Sequence, residues 1–281
     1  MKISEQLKTA AEILQSSGVA EPRREAASLL AFALCKDKTF LIAHTEYELS
    51  IEEEKLFNDV IARRARREPF QYIVGRQEFC GLDFIVTKDV LIPRPETEMI
   101  VEAAIKILQA KDDSKFCEVG VGSGCIAVSI LHHAKTADAV GLDVSEEALK
   151  VAQLNAKTHR VLERLELKSS DIFENIQDEK FDLIVSNPPY IPDKDIKTLQ
   201  AEVRDFEPIV ALTDGNDGLS IIEAIIKSAP TFLKTNGFLL LEVGFNQSGE
   251  VEKMFDREIW QAVETLPDLQ NIPRMLKAMT Q

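Results

Sequence analysis

Phe116-Cys117-Glu118-Val119 reads as a short buried strand, and it runs directly into Gly120-Val121-Gly122-Ser123-Gly124 and an apolar helix over residues 125–131. Strand, glycine loop and helix together open an α/β unit, in which alternating glycines let the backbone approach a ligand closely. The spacing is not that of the dinucleotide fingerprint, because the third glycine comes one residue early. Glu118 stands two residues before the loop. A carboxylate there is a poor neighbour for a pyrophosphate and a good one for a ligand that carries positive charge.

Working outward, Ala139-Val140-Gly141-Leu142-Asp143 is a second apolar strand, ending in an acid 19 residues after Gly124. In doubly wound sheets an acid at that place bonds ribose hydroxyls. Asp143 also precedes a helix start at Ser145 and can support that cap as well. Leu165-Glu166-Leu167-Lys168-Ser169-Ser170-Asp171 is a third strand ending in an acid, read either as a nucleoside contact or as a helix cap. The series suits a nucleoside without phosphates. S-adenosylmethionine, with its adenosine, sulfonium and amino acid, meets that description.

A further strand, Phe181-Asp182-Leu183-Ile184-Val185-Ser186, ends in Asn187-Pro188-Pro189-Tyr190. Open α/β sheets bind ligands at the carboxyl ends of their strands. This corner offers an amide, two prolines that cannot donate a backbone N–H, and an aromatic ring. Its carbonyls are acceptors with little local competition, which suits a planar NH2 group. Asn and Pro also favour ordinary turns; the glycine loop and the strand-end acids in register with it favour the functional reading.

Strands ending near Val119, Asp143, Ser170, Ser186 and Glu242, with helices between them, predict a mostly parallel sheet covered on both faces. Two weaker strands are expected over residues 260–265 and 274–278. The N-terminal part differs. Ile3, Leu7, Ala10, Ala11 and Leu14 follow helical spacing to Gly18, Pro22 opens a second helix, and a short one spans residues 39–44. Ser50 and Glu53 have capping-box spacing before a fourth. Residues 1–71 are expected to form a small helical bundle. Residues 72–93 should form a β-hairpin linker around Gly81, and residues 94–281 the ligand-binding α/β domain. Arg94, between Pro93 and Pro95, reads either as part of a helix start or as a side chain facing the cleft. Arg63-Arg64-Ala65-Arg66-Arg67 reads either as solvated cations at a helix C-terminus or as a contact for an acidic partner.

The net charge is −14; residues 1–89 carry 13 basic against 15 acidic side chains, which leaves −12 on the remainder. The part with the ligand motifs is therefore acidic, where a nucleic-acid binder shows a basic footprint. The four cysteines are scattered and read as reduced thiols, neither disulfides nor metal ligands. No stretch reaches the roughly 20 apolar residues of a membrane span. The first residues show no signal-peptide pattern, so a cytoplasmic location is expected.

With these pieces assembled, the chain resembles the protein-(glutamine-N5) methyltransferases that modify peptide chain release factors. The resemblance spans nearly the whole length. It rests on residues 79–84, Leu91-Ile92-Pro93-Arg94-Pro95-Glu96-Thr97-Glu98, the glycine loop, Ser170-Asp171, Val185 to Tyr190, Glu207-Pro208, Asp217-Gly218-Leu219 and Leu241-Glu242-Val243-Gly244. Asn-Pro-Pro-Tyr alone is shared with adenine-N6 and other amino-group methyltransferases; residues 91–98 are more specific. The resemblance implies a class I methyltransferase fold, Rossmann-like, preceded by the helical bundle and the hairpin. It implies that Gly120, Val121, Gly122, Ser123 and Gly124 hold S-adenosylmethionine, with Glu118 and Asp171 at its site. Asp143 takes the ribose, Ile172 lies beside the adenine, and Asn187 touches both cofactor and substrate. Asn187, Pro188, Pro189 and Tyr190 would hold the substrate amide and carry the chemistry, with Arg94 on the substrate side. The partner implied is a release factor, with no direct contact to nucleic acid or membrane; a monomer is the working expectation and no metal is called for. Two departures stand out. Glu118-Val-Gly-Val-Gly122 replaces the usual Asp-Leu-Gly-Thr-Gly, and Asn271-Ile-Pro-Arg274 replaces a Gly-Arg turn. The competing readings are a nucleic-acid adenine methyltransferase and a non-catalytic cofactor-binding scaffold.

Overall fold

Local signals set the first helices. Ser50 Oγ accepts the Glu53 N–H at 3.2 Å and Glu53 Oε2 accepts the Ser50 N–H at 2.7 Å, the reciprocal capping box expected there. In the computed structural model, which describes residues 1–281, five helices follow one another: α1 (Ile3–Ser16), α2 (Pro22–Ala33), α3 (Lys38–Ala43), α4 (Ile51–Ala65) and α5 (Phe70–Val74). They bury Ile3, Leu14, Leu29, Leu30 and Phe57 in a common core.

The chain divides into two compact units. The first is Met1–Arg76 together with Gln200–Phe206; the second is Gln77–Leu199 with Glu207–Gln281. Of residues 72–93, expected as a hairpin linker, 72–76 lie with the first unit, 72–74 of them in α5, and the rest lie with the second. A short helix from far along the chain lies with the first. The arginine run explains that recruitment. Arg64, 5% exposed, pairs with Glu25 and, at 3.0 Å, with Glu202. Arg67 grips both oxygens of Glu202 at 2.7 and 2.6 Å, and Arg63 pairs with Glu68. Burial pushes the Glu202 carboxyl up, but Arg67 and Arg64 hold it below its ordinary value. The run is therefore mostly neutralised within its own unit. This corrects both expectations, solvated helix-end cations and a free contact for an acidic partner; Arg66 alone is exposed and without an ion pair.

In the second unit β1 (Arg76–Phe79) and β2 (Leu82–Ile85) form the hairpin, turning through Cys80 and Gly81 with φ of 51° and 74°. The main sheet contains β3 (Lys115–Val119), β4 (Asp138–Asp143), β5 (Leu165–Ser169), β6 (Phe181–Ser186), β7 (Leu233–Glu242), β8 (Trp260–Pro267) and β9 (Pro273–Thr280). Their order is β5-β4-β3-β6-β7-β9-β8; the first five are parallel, and β9 and β8 antiparallel. Helices α6 (Glu98–Leu108), α7 (Cys125–His133) and α8 (Glu146–Thr158) share one core cluster, with Ile100, Ile126, Ile130 and Ala152. Helices α10 (Ser220–Phe232) and α11 (Ser248–Glu252) share the other, with Ile222, Ile226, Val251 and Trp260. α9 (Ala201–Phe206) is the helix that lies with the first unit. All six residues of β6 are buried, as a strand covered on both faces requires.

The chain progresses outward in opposite directions from β3 and from β6, so a topological switch lies between these neighbours. Val119 stands beside Ser186 and Leu142, and Ser186 beside Leu241. The next residue of each strand is Gly120, Asn187, Asp143 and Glu242. One row of the sheet thus ends in the glycine loop, the Asn-Pro-Pro-Tyr turn and two acids.

Candidate active site

The glycine loop is held from four sides. Gly120 and Val121 donate their N–H groups to the Leu142 carbonyl at 2.8 and 2.9 Å. Asp143 Oδ2 accepts the Gly122 N–H at 2.8 Å, while its Oδ1 accepts the Ser145 N–H at 2.9 Å. Asn155 on α8 donates to the Ser123 carbonyl at 2.8 Å, and the same amide exchanges two bonds with the backbone of Ile85 in β2. Glu118, 1% exposed, reaches under the loop to accept the Ala127 N–H at 2.8 Å in the first turn of α7. Burial pushes the Glu118 carboxyl well above its usual range, against the pull of that bond. Gly124, at φ 79°, opens α7; a Cβ there would meet Ala152 at 3.2 Å, so only glycine lets α7 and α8 close on each other.

The loop, Asp143 and the turn border one cleft. Of the residues expected from sequence, Arg94, Glu118, Gly120, Val121, Gly122, Ser123, Asp143, Asp171, Ile172, Asn187, Pro188 and Pro189 line it. Gly124 and Tyr190 do not. Gly124 is packed beneath, and Tyr190 stands behind the turn with its hydroxyl on Glu242. Burial raises the Asp143 carboxyl although three backbone N–H groups oppose it. Asp171 is exposed, makes no side-chain hydrogen bond, and no helix begins before β6. The capping alternative for it is thereby corrected. Ile172 next to it has φ 48°. A β-branched residue in the left-handed region is strained, and this strain sits on the cleft wall.

Arg94 also lines the cleft, with its guanidinium 2.6 Å from Glu207. Glu207 additionally accepts the Ile92 N–H at 3.3 Å. Burial raises its carboxyl and the Arg94 charge counters this.

Behind the turn lies a polar chain that sequence reading did not assign. Asn187 Nδ2 donates to Thr97 Oγ1 at 3.1 Å, and Thr97 donates to Glu242 Oε2 at 2.7 Å. Tyr190 donates its phenol to Glu242 Oε1 at 3.1 Å. Gln247 fixes the end of the turn by donating to the Tyr190 carbonyl at 2.9 Å while accepting the Gly244 N–H at 2.8 Å. Gly218 packs so closely on that carbonyl that a Cβ would come within 2.2 Å of it. Thr97, Glu207, Gly218, Glu242 and Gly244 all fall in the matching segments quoted above. Their positions were visible, whereas their mutual contacts were not.

S-adenosylmethionine fits this donor set. The cleft wall carries four acidic side chains, Asp89, Asp143, Asp171 and the buried Glu118, which burial drives toward its neutral form, and its one cation, Arg94, is already paired. Such a wall opposes phosphates and favours a sulfonium and hydroxyl groups. At Gly122 a Cβ would meet nothing within 4 Å, so the loop leaves open space on its cleft side.

Comparison with known proteins agrees with this geometry. Residues 5–75 match the family model of the PrmC N-terminal domain, and residues 99–204 that of the methyltransferase small domain. A release factor glutamine methyltransferase of Geobacter sulfurreducens is 43% identical over 263 residues, covering 94% of this chain and 91% of its own. One from Clostridium acetobutylicum is 36% identical over 281 residues, covering 99% of each. The crystal structure of a methyltransferase from Pyrococcus furiosus superposes with a TM-score of 0.55 at 16% identity, over 78% of this chain and 98% of that one, a likeness of fold. With the cleft, the turn and near-full-length relatives in agreement, this chain belongs to the release factor glutamine methyltransferase family.

Proposed function

We propose that this protein transfers a methyl group from S-adenosylmethionine to the side-chain amide nitrogen, N5, of a glutamine in a peptide chain release factor. One observation carries the reading furthest. The Asn187 NH2 group is committed to Thr97, while its Oδ1 has no partner in the chain and the residue lines the cleft. An uncommitted amide oxygen beside proline carbonyls is an acceptor pair for a planar NH2.

When bound, the cofactor supplies an electrophilic methyl group on a positively charged sulfur. The residues named for it are the loop 120–124, with Asp143 for the ribose, Ile172 beside the adenine and Asp171 at the same site. Asp143 retains accepting capacity on both oxygens beyond the bonds from Gly122 and Ser145. Glu118 shapes the loop from beneath through α7.

A carboxamide nitrogen is a weak nucleophile because its lone pair is delocalised. Asn187 Oδ1 and the Pro188 carbonyl accept the two N–H groups of the glutamine and favour a pyramidal nitrogen. Tyr190 and Gln247 hold the turn rigid from behind, so the acceptors cost little reorganisation as charge develops. Catalysis in this reading is chiefly positioning, and the proton leaves after transfer. Arg94, held by Glu207, borders the substrate side. The helical unit contributes no residue to the cleft wall; its role is to select the partner protein, since one glutamine side chain offers few contacts and remote binding energy can position it.

The test is incubation of the purified protein with labelled S-adenosylmethionine and a release factor carrying unmethylated glutamine, followed by mapping of the label. Label on one glutamine, lost when that glutamine is replaced by alanine, is the expected result. Label on nucleic acid, or none on protein, refutes it.

A further inference from the structure

Glu242 is 3% exposed and makes no ion pair. A buried carboxylate without a cation beside it is expensive, and a glutamine would fill the same space without a charge. What the carboxylate provides is acceptor-only chemistry. Its two oxygens take the hydroxyl hydrogens of Thr97 and Tyr190. Thr97 has a single hydrogen, so after giving it to Glu242 its oxygen can only accept. The Asn187 amide must then present NH2 to Thr97 and its oxygen to the cleft. Turned by half a rotation, Asn187 would set two acceptors face to face.

We propose that Glu242 is a positioning residue for methyl transfer: through Thr97 it sets the polarity of the Asn187 amide, and through Tyr190 it anchors the far end of the same turn. This rests on the glutamine-methylation reading above. The direction of every hydrogen bond in the chain follows from one acceptor-only group at its root, 145 residues from Thr97 in sequence. A neutral group there would carry hydrogens of its own. Wherever it donates to Thr97, Thr97 becomes an acceptor toward it and the amide is released to flip.

Burial pushes the Glu242 carboxyl up to about 7, opposed by its bonds from Thr97 and Tyr190 and by the Arg274 charge of β9, and assisted by the Glu96 charge ahead of α6. The carboxyl therefore gains its proton, and the polar chain loses its polarity, as pH falls through about 7.

The experiment uses the full chain, labelled S-adenosylmethionine and an unmethylated release factor under single-turnover conditions. E242Q should slow transfer about tenfold or more, while the cofactor dissociation constant by calorimetry stays within about twofold. T97V should show the same loss, T97S should recover most of it, and E242Q/T97V should be no slower than the slower single variant. The ratio of wild-type to E242Q rates should grow from pH 6 to pH 8, a dependence that a merely structural role would not produce. Should E242Q not fold, the Thr97 pair carries the test alone. E242Q or T97V at the wild-type rate, or losses that multiply in the double variant, overturns the relay. A wild type that binds cofactor yet leaves the glutamine unlabelled overturns the methylation reading and the relay with it.

Discussion

Replacing Glu242 by glutamine should stabilise this protein at alkaline pH even as it slows transfer. The carboxyl starts from an ordinary value of 4.5 and is pushed up to about 7 in the fold. Between these values the unfolded chain has released the proton and the folded chain still holds it, so folding takes up a proton. Stability from this group is therefore greatest at acid pH, falls as pH rises from 4.5, and levels off above 7. Each unit is worth about 1.4 kcal/mol. Between pH 5.5 and 8 the wild type should lose about 2 kcal/mol that the glutamine variant, which does not titrate, retains. The single tryptophan, Trp260, is buried in the same unit, so its fluorescence reports that unit's unfolding in urea. Urea titrations of both proteins at the two pH values give the difference directly. A stability difference that does not change with pH, or that shrinks as pH rises, would refute the assignment of a raised carboxyl at Glu242.

Further expectations follow from the same contacts. Asn187→Ala should reduce transfer about 100-fold or more, the scale of one lost transition-state hydrogen bond, with little change in cofactor affinity; turnover above about a tenth of wild type sinks the amide clamp. Asp143→Ala should weaken cofactor binding about tenfold or more, since a charge-assisted bond is worth about 1.5–3 kcal/mol and Gly122 loses its anchor as well; unchanged affinity in calorimetry would mean that the ribose lies elsewhere. Gly218→Ala, whose Cβ would stand 2.2 Å from the Tyr190 carbonyl at φ 81°, should slow single-turnover transfer far more than it weakens cofactor binding, and equal effects on both would count against a rigid turn. Arg64→Ala should cost the helical unit about 3 kcal/mol by leaving Glu25 and Glu202 short of a buried cation, whereas Arg66→Ala should leave thermal unfolding unchanged.

What could be read from the chain was local. The glycine loop, the strand-end acids and the capping box of Ser50 with Glu53 each lie within a few residues, where spacing alone carries the geometry. The sheet was legible for the same reason, since buried parallel strands announce themselves as short apolar runs. The polar chain behind the turn was not, because Asn187 and Glu242 meet in the row in which β6 and β7 end, while Thr97 comes to them from the turn before α6. Nothing in the sequence marks Asn155, whose amide meets Ile85 and Ser123 only in the fold. The arginine run misled in the opposite sense. Its partner Glu202 is 135 residues beyond Arg67, and without it the cations look free.

That last pairing bears on how the protein is made. Arg64 waits for Glu202, which is synthesised 138 residues later. At about 5–20 residues per second this is a delay on the order of ten seconds. By then β3 to β6 have left the peptidyl transferase centre, while β7, β8 and β9 have not been translated. The N-terminal helices are thus the first part begun, and their last partner is made only after the segments of β3 to β6 have been synthesised. During that interval Arg64 has one of its two carboxylates, and a nascent chain stalled before residue 202 would carry a half-satisfied cation inside its oldest segment.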